Sequence, residues 1–283
     1  MNVEIHPLPA FEDNYIWAIQ SGDAVAVVDP GESAPVLRHL ERTGARLCAI
    51  LVTHRHGDHT EGIAALIAQA AVPVFGPPLD NIAAITHPVG DGQRIKLPEL
   101  DLDFEVIAVP GHTRGHVAYY APAGPSQGGM RPLGGQRAGL ASVGESDGHR
   151  GLLFCGDVLF GGGCGRVFEG TMAEMQGSLA RLAALPPDTG VYCAHEYTQA
   201  NLRFARAVEP DNPALLERSA AVAKLRAEDR PTVPSTLSEE LATNPFLRWD
   251  APAVIAAAQA RRGSRPHDAV EVFAAIREWK NAF

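Results

Sequence analysis

Short apolar runs alternate with loops rich in glycine, proline and aspartate over about the first two-thirds of the chain. Short runs rich in β-branched residues are typical of buried strands. They predict strands over residues 24–29, 47–53, 72–75, 104–109, 117–120, 152–155 and 191–194. Helical spacing separates some of them, with Ile63, Leu66, Ile67 and Ala70 on one face and Leu179, Leu182 and Ala183 on another. This alternation predicts an α/β fold in which helices flank the sheets.

The pattern changes near residue 195. Beyond it, helical patterns follow one another over residues 201–208, 213–229, 252–261 and 267–281, with no convincing strand between them. We therefore predict an α/β domain over residues 1–195 and an all-helical domain over residues 196–283. Residues 121–151 are rich in Gly, Ser, Arg and Pro, and we expect a surface insertion between two strands there.

Composition narrows the class of protein. The chain has 283 residues, of which 46% are hydrophobic, so it can bury a sizeable core and is not a disordered protein. No apolar stretch has the length of a membrane span, and a net charge of −9 argues against a general nucleic-acid binder. The four cysteines form no CxxC pair, and the start has no secretory pattern. We expect a cytoplasmic protein without membrane or nucleic-acid partners.

A single short segment carries the strongest chemical signal. The sequence THRHGDH, residues 53–59, follows a predicted buried strand and holds three histidines and one aspartate. Side chains at a strand end can spread around one point as the chain enters a loop. Imidazole and carboxylate groups are the ligands that zinc, iron and manganese bind in proteins. We interpret this segment as one part of a metal site.

Four ligands from one loop would crowd a single ion, so the pattern favours two ions that take further ligands from elsewhere. Three other predicted strands end in suitable residues: PGHTRGH at residues 110–116, CGD at 155–157 and AHE at 194–196. An isolated histidine is more often a hydrogen-bonded structural residue than a ligand. Four strand ends that carry His or Asp together indicate one convergent site.

The motifs THRHGDH, PGHTRGH, CGD and AHEY, in this order, resemble those of the metallo-β-lactamase superfamily. Within it, FEDNYIWAI, LFGGGCGRVFEGT, HEYTQANLRFA and IREWKNAF are similar to the hydroxyacylglutathione hydrolase (glyoxalase II) family. The resemblance runs nearly from end to end, except that residues 121–151 are longer than expected. It implies a metallo-β-lactamase αββα sandwich with a metal site at one edge and an all-helical C-terminal domain.

The resemblance also implies which residues bind two divalent metal ions. His54, His56 and His116 would hold the first ion, Asp58, His59 and His195 would hold the second, and Asp157 would bridge the two. A carboxylate suits the bridge because its two oxygens can each contact a cation. His112 is expected to form hydrogen bonds within its loop instead of binding metal. Zinc is the expected metal, and iron and manganese accept the same ligands.

The activity implied is hydrolysis of S-(2-hydroxyacyl)glutathione, such as S-D-lactoylglutathione, to a 2-hydroxy acid, such as D-lactate, and glutathione. This reaction is the second step of methylglyoxal detoxification. A water between two divalent cations loses a proton near neutral pH, and the hydroxide would attack the thioester carbonyl. Asp58 and Asp157 are the expected catalytic carboxylates. A thiolate leaves without an acid because thiols ionise at about pH 8–9, so Cys164 is interpreted as a small buried residue.

An anionic glutathione thioester needs local cations on an acidic chain. The family's substrate-binding positions fall on Arg166, Phe168, Tyr197, Arg277 and Lys280. Arg277 and Lys280 are three residues apart on the last predicted helix, so they can face one carboxylate together. Arg166 stands where lysine is common, and Phe168 stands where tyrosine is common, which removes a donor worth about 1 kcal/mol. We expect a small-molecule substrate and a monomeric enzyme.

Several alternatives share the metal motif. A lactonase would not need the basic C-terminal pair, and a persulfide dioxygenase would use one iron held by His54, His116 and Asp157. A secreted β-lactamase is disfavoured because no signal sequence is seen, and a nuclease is disfavoured by the acidic charge and the helical tail. A non-enzymatic, metal-stabilised binding module would close each ion with four ligands, often thiolates. Seven candidate ligands for two ions instead leave room for water.

Overall fold

Two six-stranded sheets form the centre of the computed structural model, which describes residues 3–123 and 150–283. Sheet 1 runs in the order β1 (Glu4–Ala10), β2 (Asn14–Ser21), β3 (Ala24–Val28), β4 (Arg46–Leu51), β5 (Val74–Gly76) and β6 (His87–Pro88). Sheet 2 contains β7 (Arg94–Leu97), β8 (Leu102–Ala108), β9 (Val117–Ala121), β10 (Leu152–Gly156), β13 (Gly190–Cys193) and β14 (Ser235–Thr236), in the order β14-β13-β10-β9-β8-β7. A separate hairpin joins β11 (Leu159–Phe160) to β12 (Gly163–Cys164).

Helices lie between and after these strands. They are α1 (Ser33–Thr43), α2 (Gly57–Thr60), α3 (Ile63–Gln69), α4 (Met172–Ala183), α5 (Thr198–Val208), α6 (Pro213–Ala227), α7 (Leu237–Thr243), α8 (Pro252–Arg262) and α9 (Ala269–Asn281). The strongest local signal for a helix start is at α4, where Thr171 and Glu174 form a reciprocal capping box. Among the described residues, no helix has both the length and the apolar composition that a membrane span needs.

Strand β2 shows how the layers pack. Its residues Tyr15, Trp17 and Ile19 belong to the large apolar core that includes buried residues of both sheets. The alternate residues Ile16 and Ala18 belong to a second core that includes buried residues of α1 and α3. Since successive side chains of a strand point to opposite faces, sheet 1 packs on sheet 2 with one face and on helices with the other. The αββα sandwich implied by the family resemblance is therefore confirmed.

The ends of several strands meet at one edge of the sandwich. Strands β3 and β4 pair in parallel, and so do β10 and β13. The N–H of Tyr15 in sheet 1 donates a hydrogen bond to the carbonyl of Ala194 at 2.7 Å, directly after β13. An isolated bridge between Asn14 and His195 adds a second link between the sheets. This edge therefore gathers the loops that follow β4, β8, β10 and β13.

All seven strands predicted from the sequence are present, but the structure has further ones. Strand β1 contains Pro7 and Pro9, which normally argue against a strand. It is an edge strand that pairs only with β2, so it tolerates the missing N–H groups. The C-terminal helices are α5, α6, α8 and α9, joined by α7. One unpredicted strand, β14, interrupts this helical region because it pairs with β13 at the edge of sheet 2.

The predicted insertion at residues 121–151 falls mostly outside the described residues. Ala121 at its start pairs with Leu152 across the antiparallel strands β9 and β10. The two described ends of the segment are thus joined by sheet hydrogen bonding.

Candidate metal centre and substrate cavity

Three imidazoles from two loops form the first candidate ligand group: His54, His56 and His112. His54 and His56 follow β4, and His112 lies in the loop between β8 and β9. The Nδ1 atom of His56 lies 3.0 Å from His54 Nε2 and 3.0 Å from His112 Nε2. One ring nitrogen of each residue lies within 4.8 Å of the others. Three converging nitrogens of this kind are a suitable partial shell for a divalent cation.

The structure departs here from the sequence prediction, which gave the third position to His116. The buried ring of His116 stacks on His54 with centroids 4.6 Å apart, and its Nε2 accepts a hydrogen bond from the N–H of Asp157 at 3.1 Å. The Nδ1 atom of His112 lies 2.9 Å from the carbonyl oxygen of Arg166. Because a carbonyl only accepts, Nδ1 carries the proton and Nε2 offers a lone pair to a metal. The geometry favours His112 as the ligand.

A second group contains Asp58, His59 and His195, and Asp157 lies between this group and the first. The Oδ1 atom of Asp157 is 3.4 Å from His59 Nε2 and 3.3 Å from His195 Nε2. Its Oδ2 atom lies 3.5 Å from His112 Nε2. The two carboxylate oxygens of Asp157 therefore face different sets of imidazoles.

Buried polar atoms at this centre have no hydrogen-bond partner among the described residues. Among the candidate ligands they are both ring nitrogens of His59 and Oδ1 of Asp157; Nδ1 of His116, outside the ligand groups, also has no partner. His59 lies near carboxylates, with its Nδ1 3.0 Å from Asp29 Oδ2, but without hydrogen-bond geometry. An unsatisfied buried polar atom costs about 1–3 kcal/mol, and metal coordination is one way to remove that cost. The donor set of imidazoles and carboxylates thus fits divalent metal ions.

The local charges agree with a cation site. Burial, assisted by neighbouring imidazoles, lowers the pKa of His54 and keeps it neutral, as a ligand must be. Burial also acts to lower the pKa of His59, but Asp157, Asp29 and Asp58 outweigh it and raise that pKa well above the usual range. Burial acts to raise the pKa of Asp157, and the nearby imidazoles outweigh it, so this pKa is lowered. Positive charge is therefore stabilised between ionised carboxylates.

Two aspartates lie behind candidate ligands, and the sequence analysis missed both. Asp13 Oδ1 accepts from Nδ1 of His195 at 2.9 Å, and Asp29 Oδ2 lies 3.0 Å from Nδ1 of His59. A carboxylate that accepts a hydrogen bond from an imidazole, as Asp13 does, fixes the tautomer and turns the other nitrogen toward the metal, whereas Asp29 provides a negative charge beside His59. The available signal was weak, since each aspartate stands next to a strand end.

A cavity of about 340 Å³ adjoins the metal centre. It is lined by His112 and Asp157 and by all five predicted substrate-binding residues, which are Arg166, Phe168, Tyr197, Arg277 and Lys280. The structure therefore brings the predicted binding residues and the candidate ligands to one place. Because these residues come from both the N-terminal sheets and the C-terminal helices, only the folded chain assembles this cavity.

Two aromatic rings flank the candidate ligands inside the cavity. The ring of Tyr197 stacks on His195, with centroids 4.7 Å apart and an interplanar angle of 6°. The ring of Phe168 lies 5.2 Å from that of His112 and 6.1 Å from that of His56. Phe168 is 59% exposed, so its ring is available to contact a bound molecule.

The two basic residues of α9 have different environments. Arg277 is buried, and its Nη1 donates to the carbonyl of Cys164 at 2.9 Å, while its Nη2 donates to Asn281 Oδ1 at 3.0 Å. Its guanidinium therefore fixes the backbone at Cys164 as well as lining the cavity. Lys280 is half-buried, with Nζ 5.1 Å from the centre of the Phe204 ring. Desolvation, followed by the charge of Arg277, lowers the pKa of Lys280 to about 8.

The thiol of Cys164 lines the same cavity, but it is a poor nucleophile. Burial raises its pKa above the usual value, despite the opposing charge of Arg277. A protonated thiol does not attack a carbonyl effectively. This environment agrees with the interpretation of Cys164 as a small buried residue.

Comparison with known proteins identifies the family. The family model described as "Metallo-beta-lactamase superfamily" matches residues 10–195, and "Hydroxyacylglutathione hydrolase C-terminus" matches residues 196–283. A protein of Nitrosomonas eutropha named hydroxyacylglutathione hydrolase is 45% identical over 281 residues and covers 99% of both chains. A protein of Pseudomonas aeruginosa with the same name is 48% identical over 284 residues, covering 99% of this chain and all of its own. The chain belongs to the hydroxyacylglutathione hydrolase family.

Solved structures agree with this fold. ETHE1 from Myxococcus xanthus matches all of this chain and 99% of its own, with a TM-score of 0.59 and 19% identity. A B3 metallo-β-lactamase matches 87% of this chain and 99% of its own, with a TM-score of 0.56 and 19% identity. These likenesses show the metallo-β-lactamase fold. Together with the two ligand groups, membership of the hydroxyacylglutathione hydrolase family implies divalent metal ions at this edge of the sandwich.

Proposed function

We propose that the chain hydrolyses S-(2-hydroxyacyl)glutathione, including S-D-lactoylglutathione, to a 2-hydroxy acid and glutathione. One observation carries the proposal: His112 of the first ligand group and Asp157, which lies between the two groups, line the same cavity as the five residues expected to bind the glutathione thioester. The names of relatives that are 45–48% identical over almost the whole chain support the same substrate class.

The proposed centre holds two ions, most simply zinc. His54, His56 and His112 would bind the first, Asp58, His59 and His195 the second, and Asp157 both. Bound there, the cations supply a water of lowered pKa and a Lewis acid for the carbonyl oxygen. The chain contributes the positions of these ligands, because Asp13 holds His195 by a hydrogen bond and the Asp29 carboxylate lies 3.0 Å from His59 Nδ1.

The remaining residues of the cavity bind and orient the substrate. Lys280 and Arg166 place positive charge beside the carboxylates of the glutathione portion, and Tyr197 offers its hydroxyl to the peptide groups. Phe168 packs beside His112 and covers the acyl end of the site. Asp58 is suited to orient the attacking water because it is a half-buried carboxylate of the second ligand group. Water cleaves the C–S bond, and the thiolate leaves without a donated proton.

We extend the proposal to the organisation of the molecule. Residues 1–195 would form the metal-binding domain, and residues 196–283 would form a helical domain that completes the substrate cavity. The chain would act as a monomer in the cytoplasm. Sedimentation of the metal-loaded protein and fractionation of the source cells test these last two points.

The decisive experiment measures hydrolysis of S-D-lactoylglutathione and metal content on the same sample. Loss of thioester absorbance with about two metal ions per chain is the expected result. Absence of turnover with the centre fully loaded would contradict the proposed substrate. An Asp157→Asn variant is expected to bind less metal and to lose nearly all activity, and full activity would exclude the bridging role.

A further inference from the structure

The β11–β12 hairpin connects the metal centre to the substrate cavity. It begins two residues after Asp157 and ends two residues before Arg166. Its tight turn has Gly162 at φ +65°, a left-handed conformation that favours glycine. A Cβ atom on Gly162 would also approach Leu202 to 2.8 Å. Phe160 and Cys164, on its two strands, both line the cavity.

Side chains from the C-terminal helices hold this hairpin by its backbone. The side-chain amides of two asparagines donate to hairpin carbonyls, Asn201 to Gly161 O at 3.1 Å and Asn244 to Gly163 O at 2.9 Å. The guanidinium of Arg277 donates to Cys164 O at 2.9 Å. The carboxylate of Glu240 accepts from the N–H of Gly162 at 2.8 Å. Two of these contacts reach the turn itself: Asn201 donates to the carbonyl of Gly161, and Glu240 accepts from the N–H of Gly162. The position of the cavity wall therefore depends on residues distant in sequence.

Glu240 is fully buried, and its carboxylate accepts four hydrogen bonds. Its Oε2 accepts from the N–H of Gly162 at 2.8 Å and from Asn244 Nδ2 at 3.0 Å. Its Oε1 accepts from Arg218 Nη2 at 2.5 Å and from Ser235 Oγ at 2.6 Å. A carboxylate has four acceptor positions and no donor, so it satisfies all four neighbours. An amide nitrogen in either position would face at least one group that can only donate.

We propose that Glu240 is a positioning residue for the thioester-binding cavity. Its carboxylate fixes the turn of the hairpin and thereby the placement of Phe160 and Cys164 against the bound glutathione portion. This inference rests on the proposed function. The base of the hairpin is closed separately by a hydrogen bond from Gly165 N–H to the carbonyl of Val158 at 3.1 Å. Loosening the turn should therefore alter substrate binding more than the metal centre.

The neighbouring residue Glu239 provides a matched control. It lies on the same helix, its side chain is 29% exposed, and its Oε2 pairs with Nε of the same Arg218 at 3.3 Å. Among the described residues, the side chain of Glu239 makes no hydrogen bond or ion pair with the hairpin, and its partner is Arg218. Replacing either glutamate by glutamine removes one charge beside Arg218, but only the change at Glu240 reaches the turn.

The test compares Glu240→Gln, Glu239→Gln and the unchanged protein, all metal-loaded, with S-D-lactoylglutathione as substrate. Glu240→Gln is expected to raise KM about tenfold, with kcat within about twofold and unchanged metal content. Glu239→Gln is expected to keep both constants within about twofold. A small thioester without glutathione should be hydrolysed with the same kcat/KM by all three proteins.

Other outcomes separate this inference from the proposed function. If the unchanged protein hydrolyses the substrate and Glu240→Gln loses thermal stability without a change in KM, the residue is merely structural and the inference fails alone. If the loaded unchanged protein has no turnover, both proposals fail. Should Glu240→Gln not fold, Asn244→Ala gives the same test, because it frees the hairpin carbonyls and leaves the pair of Glu240 and Arg218 in place. An unchanged KM in that variant overturns the inference.

Discussion

Asp80 and Gly115 are joined by a hydrogen bond from the backbone N–H of Gly115 to Asp80 Oδ1, at 3.0 Å. The other oxygen of Asp80 accepts from the N–H of Arg55 at 2.9 Å and from the hydroxyl of Thr113 at 3.0 Å. Arg55 lies between two candidate ligands, and Thr113 directly follows the third ligand of that group, His112. One buried carboxylate thus holds together the two loops that form the first ligand group.

We expect Asp80→Asn to weaken metal binding. An amide nitrogen would meet donors on each side, so one of the two loops would lose its anchor. Loss of a residue that supports metal ligands lowers metal affinity by about 10–100-fold, and the unfolding free energy should fall by about 1–3 kcal/mol. Competition with a chelator measures the first effect and denaturant unfolding the second. Asp23→Asn is the control, since that side chain is 77% exposed and pairs with Arg46 on the surface; equal metal affinities in both variants would contradict the role of Asp80.

The choice between His112 and His116 can be tested by paired alanine variants. His112→Ala should bind about one metal ion fewer per chain and lose activity, while its fold is kept. His116 is fully buried and stacks on His54. His116→Ala should therefore chiefly lower the free energy of unfolding, by about 2–5 kcal/mol, because it truncates a large buried side chain. Elemental analysis and thermal unfolding of both variants decide the matter. A metal deficit found only in His116→Ala would return the ligand role to His116.

Substrate affinity should depend on pH through Lys280. Its pKa is lowered to about 8 by desolvation and by Arg277, so the ammonium is present below that pH and is lost above it. Because the charged form attracts the carboxylates of the substrate, KM should rise by about tenfold between about pH 7 and pH 9. Lys280→Met should have a high KM that no longer changes over this range. The exposed Lys224→Met variant serves as the control, and a pH-dependent KM that survives in Lys280→Met would exclude the assignment.

Phe168→Tyr should strengthen substrate binding. The ring borders His112 and is 59% exposed, so an added hydroxyl can reach a bound glutathione thioester without displacing a core residue. One hydrogen bond of about 1 kcal/mol corresponds to a fall in KM of about fivefold. Steady-state kinetics of Phe168→Tyr and Phe168→Leu measure this contribution. A KM for the tyrosine variant equal to or above that of the unchanged chain would show that the hydroxyl finds no partner.

Replacing residues 124–149 by a short flexible turn should leave kcat and metal content nearly unchanged. Ala121 and Leu152 are sheet partners, so a short connection can join β9 to β10 without moving Asp157, which follows β10. Activity and metal content of the shortened chain test this. A large fall in kcat with full metal loading would give these residues a role at the cavity.

The apolar runs of the buried strands predict sheets flanked by helices, and the family resemblance adds the αββα sandwich. The position of the site is predictable because the candidate ligands follow those strands. The sequence does not reveal the direction in which a side chain points, and this direction decides which residues can be ligands. PGHTRGH contains two histidines, and the contacts of His112 with the Arg166 carbonyl and with Nδ1 of His56 favour His112 for the ligand group. Strand β1 is concealed by its prolines. Glu240 and Asp80 could not be found at all, because nothing in their local sequence reveals that the donors around them come from distant segments.

The candidate ligands belong to both layers of the sandwich. His54 and its neighbours follow a strand of sheet 1, whereas His112, Asp157 and His195 lie in loops that border strands of sheet 2. Cations bound between them would cross-link the two sheets and set their spacing at that edge. Metal binding would then be coupled to the final alignment of the two sheets. A spectroscopic signal that depends on packing between the sheets would therefore report whether the protein has bound its metal ions.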